Sequence, residues 1–271
     1  MRVRTAAMLV AVAAGVWIAP VVSDAAGAAD ELVSHRAIYE LRLGSNRNTG
    51  GMSELAGRMV TEWQETCDGY TLNQRTVTFG RSSDGEPVEN DYSVSSWESK
   101  DGLTFRFDVR NLVNGEVQEE FSGRAELDGP GKSGRVSFRK PSGEGIDLPE
   151  GTLFPTEHTK VLIARAAAGD KVVSRTLFDG SGTDGLFEAV AFVGAAIKVS
   201  GDDKVEGLRQ QTGYPLRLAF FNIQERDALP AYEVGGPLYA NGVSGDLTID
   251  YREFSLLGKL TKLELLPKPG C

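Results

Sequence analysis

The chain has 271 residues, of which 41% are hydrophobic and 25% are charged, with 32 glycines and 11 prolines. This apolar fraction is too high for a disordered chain, and the length is sufficient for a substantial hydrophobic core. The net charge of −9 argues against nucleic acid or anionic lipid head groups as the main partner, and two histidines with two cysteines argue against a zinc cluster or an iron–sulfur site.

Residues 1–29 have the pattern of a secretory signal peptide. Two arginines precede an apolar run over residues 6–19, and small residues follow up to Ala29. The run is shorter than the roughly 20 apolar residues that a membrane-spanning helix needs, and no later stretch is long and apolar enough to span a bilayer. We therefore predict cleavage between Ala25 and Ala29, and export of residues 30–271 as a single domain.

Alternating apolar and polar residues dominate the exported part of the chain, which is the pattern of strands with one buried face. Asx-Gly pairs that favour tight hairpins separate many of these segments, as in Asn114-Gly115. The sequence therefore predicts a mostly β fold of about a dozen antiparallel strands. The clearest alternation lies at residues 36–43, 59–63, 103–109, 135–139, 216–220, 247–251 and 260–265.

The two cysteines are a candidate disulfide. Cys67 lies in a turn-like segment, and Cys271 is the last residue. Export to an oxidising compartment favours a bond between them, whereas two free thiols are the alternative; the absence of a C-x-x-C motif argues against a redox-active pair. A bond would hold the predicted C-terminal strand, Lys259–Leu266, against the loop after Trp63.

One segment has a helical pattern instead. The alanine-rich run Thr156–Ala168 ends at Gly169, Thr156 is a suitable N-cap, and Glu157 is favourable in the first turn. The continuous apolar run 161–164 indicates that this helix is mostly buried. We therefore expect a strongly curved antiparallel sheet around one helix.

The stretch Gly180–Gly185 matches the G-x-G-x-x-G dinucleotide fingerprint, and Asp202 follows about twenty residues later. The context argues against nucleotide binding, because the surrounding strands are predicted to be antiparallel and the chain is exported. Asp179-Gly180 instead has the composition of an ordinary hairpin turn.

Candidate catalytic groups are few. His158 and His35 are the two histidines, no G-x-S-x-G motif accompanies them, and we predict that His158 lies on the inward helix face with a hydrogen-bond partner. The prominent carboxylates are predicted to be solvated, although a glycosidase-type pair stays open. They are Glu62, Glu65, Glu119, Glu120, Asp202 and Asp203.

Four stretches together resemble the EipB family of alphaproteobacterial cell-envelope integrity proteins: residues 35–39, 67–71, 148–158 and 265–271. The resemblance implies a periplasmic β-spiral, similar to the lipoprotein carriers of the Lol system, with a disulfide between Cys67 and Cys271. It implies a role in envelope maintenance under stress, with no established catalytic activity and no cofactor.

Two functional hypotheses follow. In the first, the concave sheet binds a hydrophobic ligand such as an acyl chain, or a protein partner, since the apolar strand faces exceed what one helix can cover and predict a long hydrophobic crevice. Core filling is the alternative role for the lining candidates, which are Phe105, Phe107, Leu216, Leu218 and Phe220. In the second, the protein is an envelope hydrolase acting on glycan or peptide, with His158 or a carboxylate pair as acid and base.

Overall fold

The computed structural model describes residues 32–47, 52–143, 145–199, 205–224 and 229–271, so the predicted signal peptide lies outside the described residues. Within these ranges the chain forms fifteen strands and one α-helix. The strands are β1 (His35–Asn46), β2 (Met52–Glu65), β3 (Gly69–Ser82), β4 (Pro87–Ser99), β5 (Thr104–Val113), β6 (Glu116–Leu127), β7 (Gly134–Lys140), β8 (Ile146–Leu148), β9 (Val172–Phe178), β10 (Leu186–Val193), β11 (Ile197–Lys198), β12 (Thr212–Asn222), β13 (Tyr232–Tyr239), β14 (Leu247–Tyr251) and β15 (Phe254–Leu265); the helix is α1 (Pro155–Ala167).

All strands belong to one antiparallel sheet, with the order β8-β7-β6-β5-β4-β3-β2-β1-β15-β14-β13-β12-β10-β9 and the short β11 paired with β12. The first and last long strands, β1 and β15, therefore pair in the middle of the sheet. The two outer strands, β8 and β9, are separated along the chain by α1 and its flanking segments. The predicted architecture of a curved antiparallel sheet around one helix is confirmed for the described residues.

The sheet is nearly closed by the segment that leads from β8 into α1. Leu153 forms an isolated parallel bridge with Leu177 of β9. Its backbone N–H donates to the carbonyl oxygen of Thr176 at 2.9 Å, and its own carbonyl oxygen accepts from the N–H of Phe178 at 3.0 Å. These bonds satisfy part of the outer edge of β9, which reduces the risk of edge-to-edge association.

Strand β5 shows the alternation of buried and exposed residues that the sequence predicts. In β5, Phe105, Phe107 and Val109 are buried, whereas Arg106 and Asp108 are exposed. At the β5–β6 hairpin, Asn114 and Gly115 both have positive φ, 53° and 81°, which matches the right-handed twist of the flanking strands.

Helix α1 begins at Pro155, and its N-cap lies two residues before the predicted one. Its N-cap is Phe154 without a side-chain cap hydrogen bond, and Pro155 occupies the first turn, so the prediction that Thr156 caps the helix is wrong. The predicted stop at Gly169 is confirmed by its φ of +93°. No helix in the described ranges is long and apolar enough to cross a bilayer.

One part of the interior is tightly filled. Four rings form what we call the phenylalanine cluster: Phe105, Phe107, Phe154 and Phe178. The ring of Phe105 lies 5.3 Å from that of Phe154 and 6.3 Å from that of Phe178, in stacked and edge-on arrangements respectively. The cluster packs the start of α1 against β5 and β9.

The sulfur atoms of Cys67 and Cys271 are bonded, with Cα atoms 5.8 Å apart and a sequence separation of 204. The bond joins the turn between β2 and β3 to the tail that follows β15. It therefore restrains the C-terminal end of the chain next to the sheet.

Candidate functional site: a crevice inside the sheet

Two cavities meet at the first turn of α1. The first has a volume of about 230 Å³ and is called the Glu98 cavity; the second has a volume of about 300 Å³ and is called the His158 cavity. Both are lined by Pro155, Thr159, Ser244 and Leu247, so they adjoin. We refer to the two together as the interior crevice.

The Glu98 cavity has aromatic and polar walls. The strand register places some of the lining residues side by side on neighbouring strands. Trp63 of β2 pairs with His35 of β1 and with Leu72 of β3. Further side chains on the inward face are short or polar, so they leave space that phenylalanines fill elsewhere. These are Thr61, Gln74 and Ser96.

Glu98 of β4 is the most unusual group in this cavity. It is only 2% exposed, and its two carboxylate oxygens accept backbone N–H bonds from Thr156 at 2.7 Å and Glu157 at 2.9 Å. Burial raises the pKa of Glu98 to about 7, against the opposing effect of these hydrogen bonds and of the positive charge on Lys160. Glu98 thus replaces the missing cap of α1, because a carboxylate at a helix N-terminus satisfies free N–H groups.

Sequence reasoning missed Glu98. Glu98 lies two residues after Ser96 on β4, so both side chains point to the inward face. The alternation of the strand could therefore have predicted that Glu98 points inward. Nothing local indicates that the helix begins opposite this position, because Glu98 and Thr156 are 58 residues apart in sequence.

The aromatic wall around Glu98 is held by contacts of its own. The ring of Trp63 stacks on Tyr70, with centroids 5.4 Å apart, and its indole N–H donates to the hydroxyl of Thr156 at 3.4 Å. The ammonium group of Lys160 lies over the Tyr70 ring and donates to its hydroxyl at 3.1 Å. Burial lowers the pKa of His35, whose Nδ1 lies 2.8 Å from the carbonyl oxygen of Val33, so this histidine is neutral near pH 7.

The His158 cavity is mainly apolar. Of the five residues predicted to line a concave surface, Leu216, Leu218 and Phe220 line this cavity. Phe105 and Phe107 instead belong to the phenylalanine cluster, where they are almost completely buried. The predicted hydrophobic surface therefore divides into a filled part and an open part.

His158 lies on the inward face of α1 and is 5% exposed, as predicted, but the predicted hydrogen bond is absent. Its Nε2 atom is covered by protein and has no hydrogen-bond partner among the residues that the structure describes. Burial lowers its pKa to about 4, and the positive charge of Arg175 acts in the same direction. His158 is therefore neutral at pH 7 and poorly placed for proton transfer to a bound molecule.

A second buried acid lies across this cavity. The side chain of Asp179 borders the cavity on one side and is surrounded by protein on the others. Desolvation in this position raises the pKa of Asp179. One carboxylate oxygen accepts the N–H of Ser181 at 2.8 Å, and the other lies 3.4 Å from the donating hydroxyl of Tyr232. Asp179 opens the Gly180–Gly185 stretch, which connects the antiparallel β9 and β10 and lacks the strand-to-helix context of a dinucleotide site.

Four of the six carboxylates singled out from the sequence are described, and these four lie outside the crevice. They form ion pairs or hydrogen bonds at the surface: Glu62 with Arg36, Glu65 with Lys100, Glu119 with Asn111, and Glu120 with Lys140. Asp202 and Asp203 lie outside the described residues. Across the described ranges, no group of three or more His, Cys, Asp or Glu side chains is arranged to hold a metal ion.

Comparison with known proteins identifies relatives that cover nearly the whole chain. The EipB-like family matches residues 26–267. The cell envelope integrity protein EipB of Brucella abortus (strain 2308) is 37% identical over 278 residues, which cover 99% of this chain and 98% of that protein. A crystal structure of a β-barrel-like protein of the DUF1849 domain of unknown function, also from Brucella abortus, is similar with a TM-score of 0.80 and 36% identity, over 88% of this chain and 99% of that one.

Proposed function

The chain belongs to the EipB-like family, and on that premise we propose that it supports cell-envelope integrity without catalysis, by binding a hydrophobic ligand in the interior crevice. The observation that carries the proposal is the pair of adjoining cavities beside the first turn of α1, the larger of which is lined mainly by apolar residues. The two cavities have volumes of about 230 and 300 Å³. An apolar cavity of about 150 Å³ is already sufficient to bind benzene.

A periplasmic location would fit this role. The predicted signal peptide and the bond between Cys67 and Cys271 both fit an oxidising compartment outside the cytoplasm. The Brucella relative is named for the cell envelope. We therefore propose that residues 30–271 act as one unit in the periplasm, where amphiphilic envelope components are available.

The chemistry of the crevice favours binding over hydrolysis. The Nε2 atom of His158 is covered, and burial lowers the pKa of this histidine to about 4. A general acid or base must instead reach the proton that it transfers. His158 therefore does not fit the acid–base role that the hydrolase hypothesis assigns to it.

The proposal is tested by blocking the crevice. Val234 of β13 lines the His158 cavity, whereas Val190 of β10 lies on the opposite face of its strand from the buried Ala189 and Ala191 and does not line the crevice. Val234→Phe should abolish the fluorescence increase of the neutral probe N-phenyl-1-naphthylamine, and Val190→Phe should preserve it. Native mass spectrometry of protein released from the periplasm should show a bound hydrophobic mass that Val234→Phe lacks.

Wild-type protein that neither carries a hydrophobic mass nor binds the probe would refute ligand binding. The hydrolase alternative has a separate readout, which is His158→Ala in a complementation assay for detergent resistance. We expect this variant to retain envelope support if it folds, whereas a hydrolase that uses His158 would lose it.

A further inference from the structure

In the part of the chain that the structure describes, the acidic side chains that line the interior crevice are not accompanied by a lysine or an arginine. Glu98 lines one cavity, and Asp179 and Asp246 line the other. No lysine or arginine is among the described residues that line either cavity. The two lining histidines, His35 and His158, have pKa values lowered by burial and add no positive charge near pH 7. A cleft lined by one sign of charge attracts the opposite sign.

Glu98 is held so that it can accept one more hydrogen bond. An ionised carboxylate offers about four lone-pair positions. The N–H groups of Thr156 and Glu157 occupy two, and the side chain of Thr156 also hydrogen-bonds to this carboxylate. These donors come from the first turn of α1, so they fix the orientation of the carboxylate while it borders the Glu98 cavity.

Among the described residues, no cationic side chain completes this site. Lys160 is the basic residue whose charge acts on Glu98, but its ammonium group is hydrogen-bonded to Tyr70 at 3.1 Å and to Glu157 at 3.3 Å. It does not line the cavity, and among the described residues Glu98 has no ion-pair partner. A buried carboxylate without a counter-ion is costly, and a bound cation would remove that cost.

The two cavities also differ in polarity in a way that orients an amphiphile. The Glu98 cavity contains hydrogen-bonding side chains such as Gln74 and Ser96, whereas Leu216, Leu218 and Phe220 line the adjoining His158 cavity. We propose that the ligand is an amphiphile with a protonated amine, whose ammonium group binds Glu98 and whose hydrocarbon chain occupies the His158 cavity. This assignment rests on the proposed function and names the ligand's chemical class.

The test uses three probes that share one chain and differ in head group: decylammonium, decanol and decanoate, each below its micelle concentration at pH 8. Trp63 lines the Glu98 cavity, whereas Trp97 lies under Arg106 on the outer face. Trp97→Phe therefore makes Trp63 the fluorescent reporter of the exported chain. We expect decylammonium to bind about tenfold or more tightly than the other two, because hydrogen bonds between charged groups are stronger than neutral ones.

Glu98→Gln should remove this preference while decanol binding is retained. Glu126→Gln is the matched control, since Glu126 is an exposed carboxylate paired with Arg124 and its substitution changes the net charge equally. If decanol or decanoate binds as well as decylammonium, or if the preference survives in Glu98→Gln, the amine assignment is wrong while ligand binding stands. If no probe alters Trp63 fluorescence, ligand binding itself fails. The order of the three probe affinities, measured with Glu98 in place, tests the amine assignment even if Glu98→Gln does not fold.

Discussion

Strands β5 to β8 and strands β2 to β4 are neighbouring parts of one sheet, yet their inward faces differ. Phe105 on β5 is 1% exposed within the phenylalanine cluster, whereas Leu72 and Gln74 on β3 are half-buried and border the Glu98 cavity. Glu98 lies at the boundary, because its register partners are Tyr70 of β3 on one side and Phe105 of β5 on the other.

The difference comes from side-chain volume at equivalent positions. Large aromatic rings occupy the inward positions of the filled part. A Cβ atom added at Gly180 would lie only 2.9 Å from atoms of both Phe105 and Phe107, which is closer than van der Waals contact allows. In the open part, Thr61, Gln74 and Ser96 occupy inward positions and do not reach across the interior. The same alternating pattern can therefore produce either a packed core or a binding space, depending on which residues occupy the inward positions.

The open part is the one that carries the covalent cross-link. Cys67→Ser and Cys271→Ser should each lower the free energy of unfolding by about 2–5 kcal/mol, since a bond that closes a long loop restricts the unfolded chain. Urea denaturation with and without reductant measures this. The double variant should add little to either single one, and reductant should leave all three variants unchanged. Two reactive thiols in the unfolded, unreduced wild type would contradict the prediction.

Matched leucine truncations compare the two parts directly. Leu148→Ala should cost about 3 kcal/mol, because Leu148 is 1% exposed and belongs to the core around the phenylalanine cluster. Leu72→Ala should cost about 1 kcal/mol, because Leu72 already borders empty space. Urea midpoints of the two variants measure the difference, and equal losses would mean that the open part is packed as tightly as the filled part.

Two buried groups beside the first turn of α1 give opposite dependences of stability on pH. The folded state retains the Glu98 proton up to about pH 7, against an ordinary pKa of 4.5, so the contribution of Glu98 to stability decreases as the pH rises through this window. The folded pKa of His158 is about 4, against an ordinary 6.5, so its contribution increases with pH between those values. The pKa of His35 is lowered as well, so its contribution has the same sign as that of His158.

Glu98→Gln should therefore reveal the histidine effect. We expect its stability to increase between pH 5 and pH 6.5 by about 2 kcal/mol more than that of the wild type, since one proton contributes about 1.4 kcal/mol per pH unit. Urea titrations at several pH values measure these slopes. Glu126→Gln should retain the wild-type slope, and a Glu98→Gln variant with that same slope would contradict the raised pKa of Glu98.

The unpartnered nitrogen of His158 leads to the smallest expected effect. His158→Leu should raise the free energy of unfolding at pH 7 by about 1 kcal/mol, because it removes a buried polar atom without a hydrogen bond. His35→Leu is the control and should be destabilising, because Nδ1 of His35 has a partner in the carbonyl oxygen of Val33. Thermal unfolding of both variants compares them. A loss of stability in His158→Leu would indicate that Nε2 has a partner in solution.

Local features of this protein could be predicted from its sequence. The alternation in β5, the turn at Asn114-Gly115 and the helix stop at Gly169 depend on residues a few positions apart, so their physical causes lie within short windows. Burial of His158 followed from its spacing to Leu162 on one helix face. The two cysteines could be proposed as a pair because the chain contains no third thiol.

Tertiary structure alone decided how those elements share the interior. Glu98 caps α1 only because the sheet curves until β4 faces the start of the helix, and no local pattern specifies that curvature. The same curvature covered His158 without providing a partner, and it placed Phe105 in a filled cluster while Leu216 borders open space. Periodicity determines which face of each strand points inward. The distance between opposing faces depends on how far the whole sheet closes, and every strand contributes to that closure through its twist and bend.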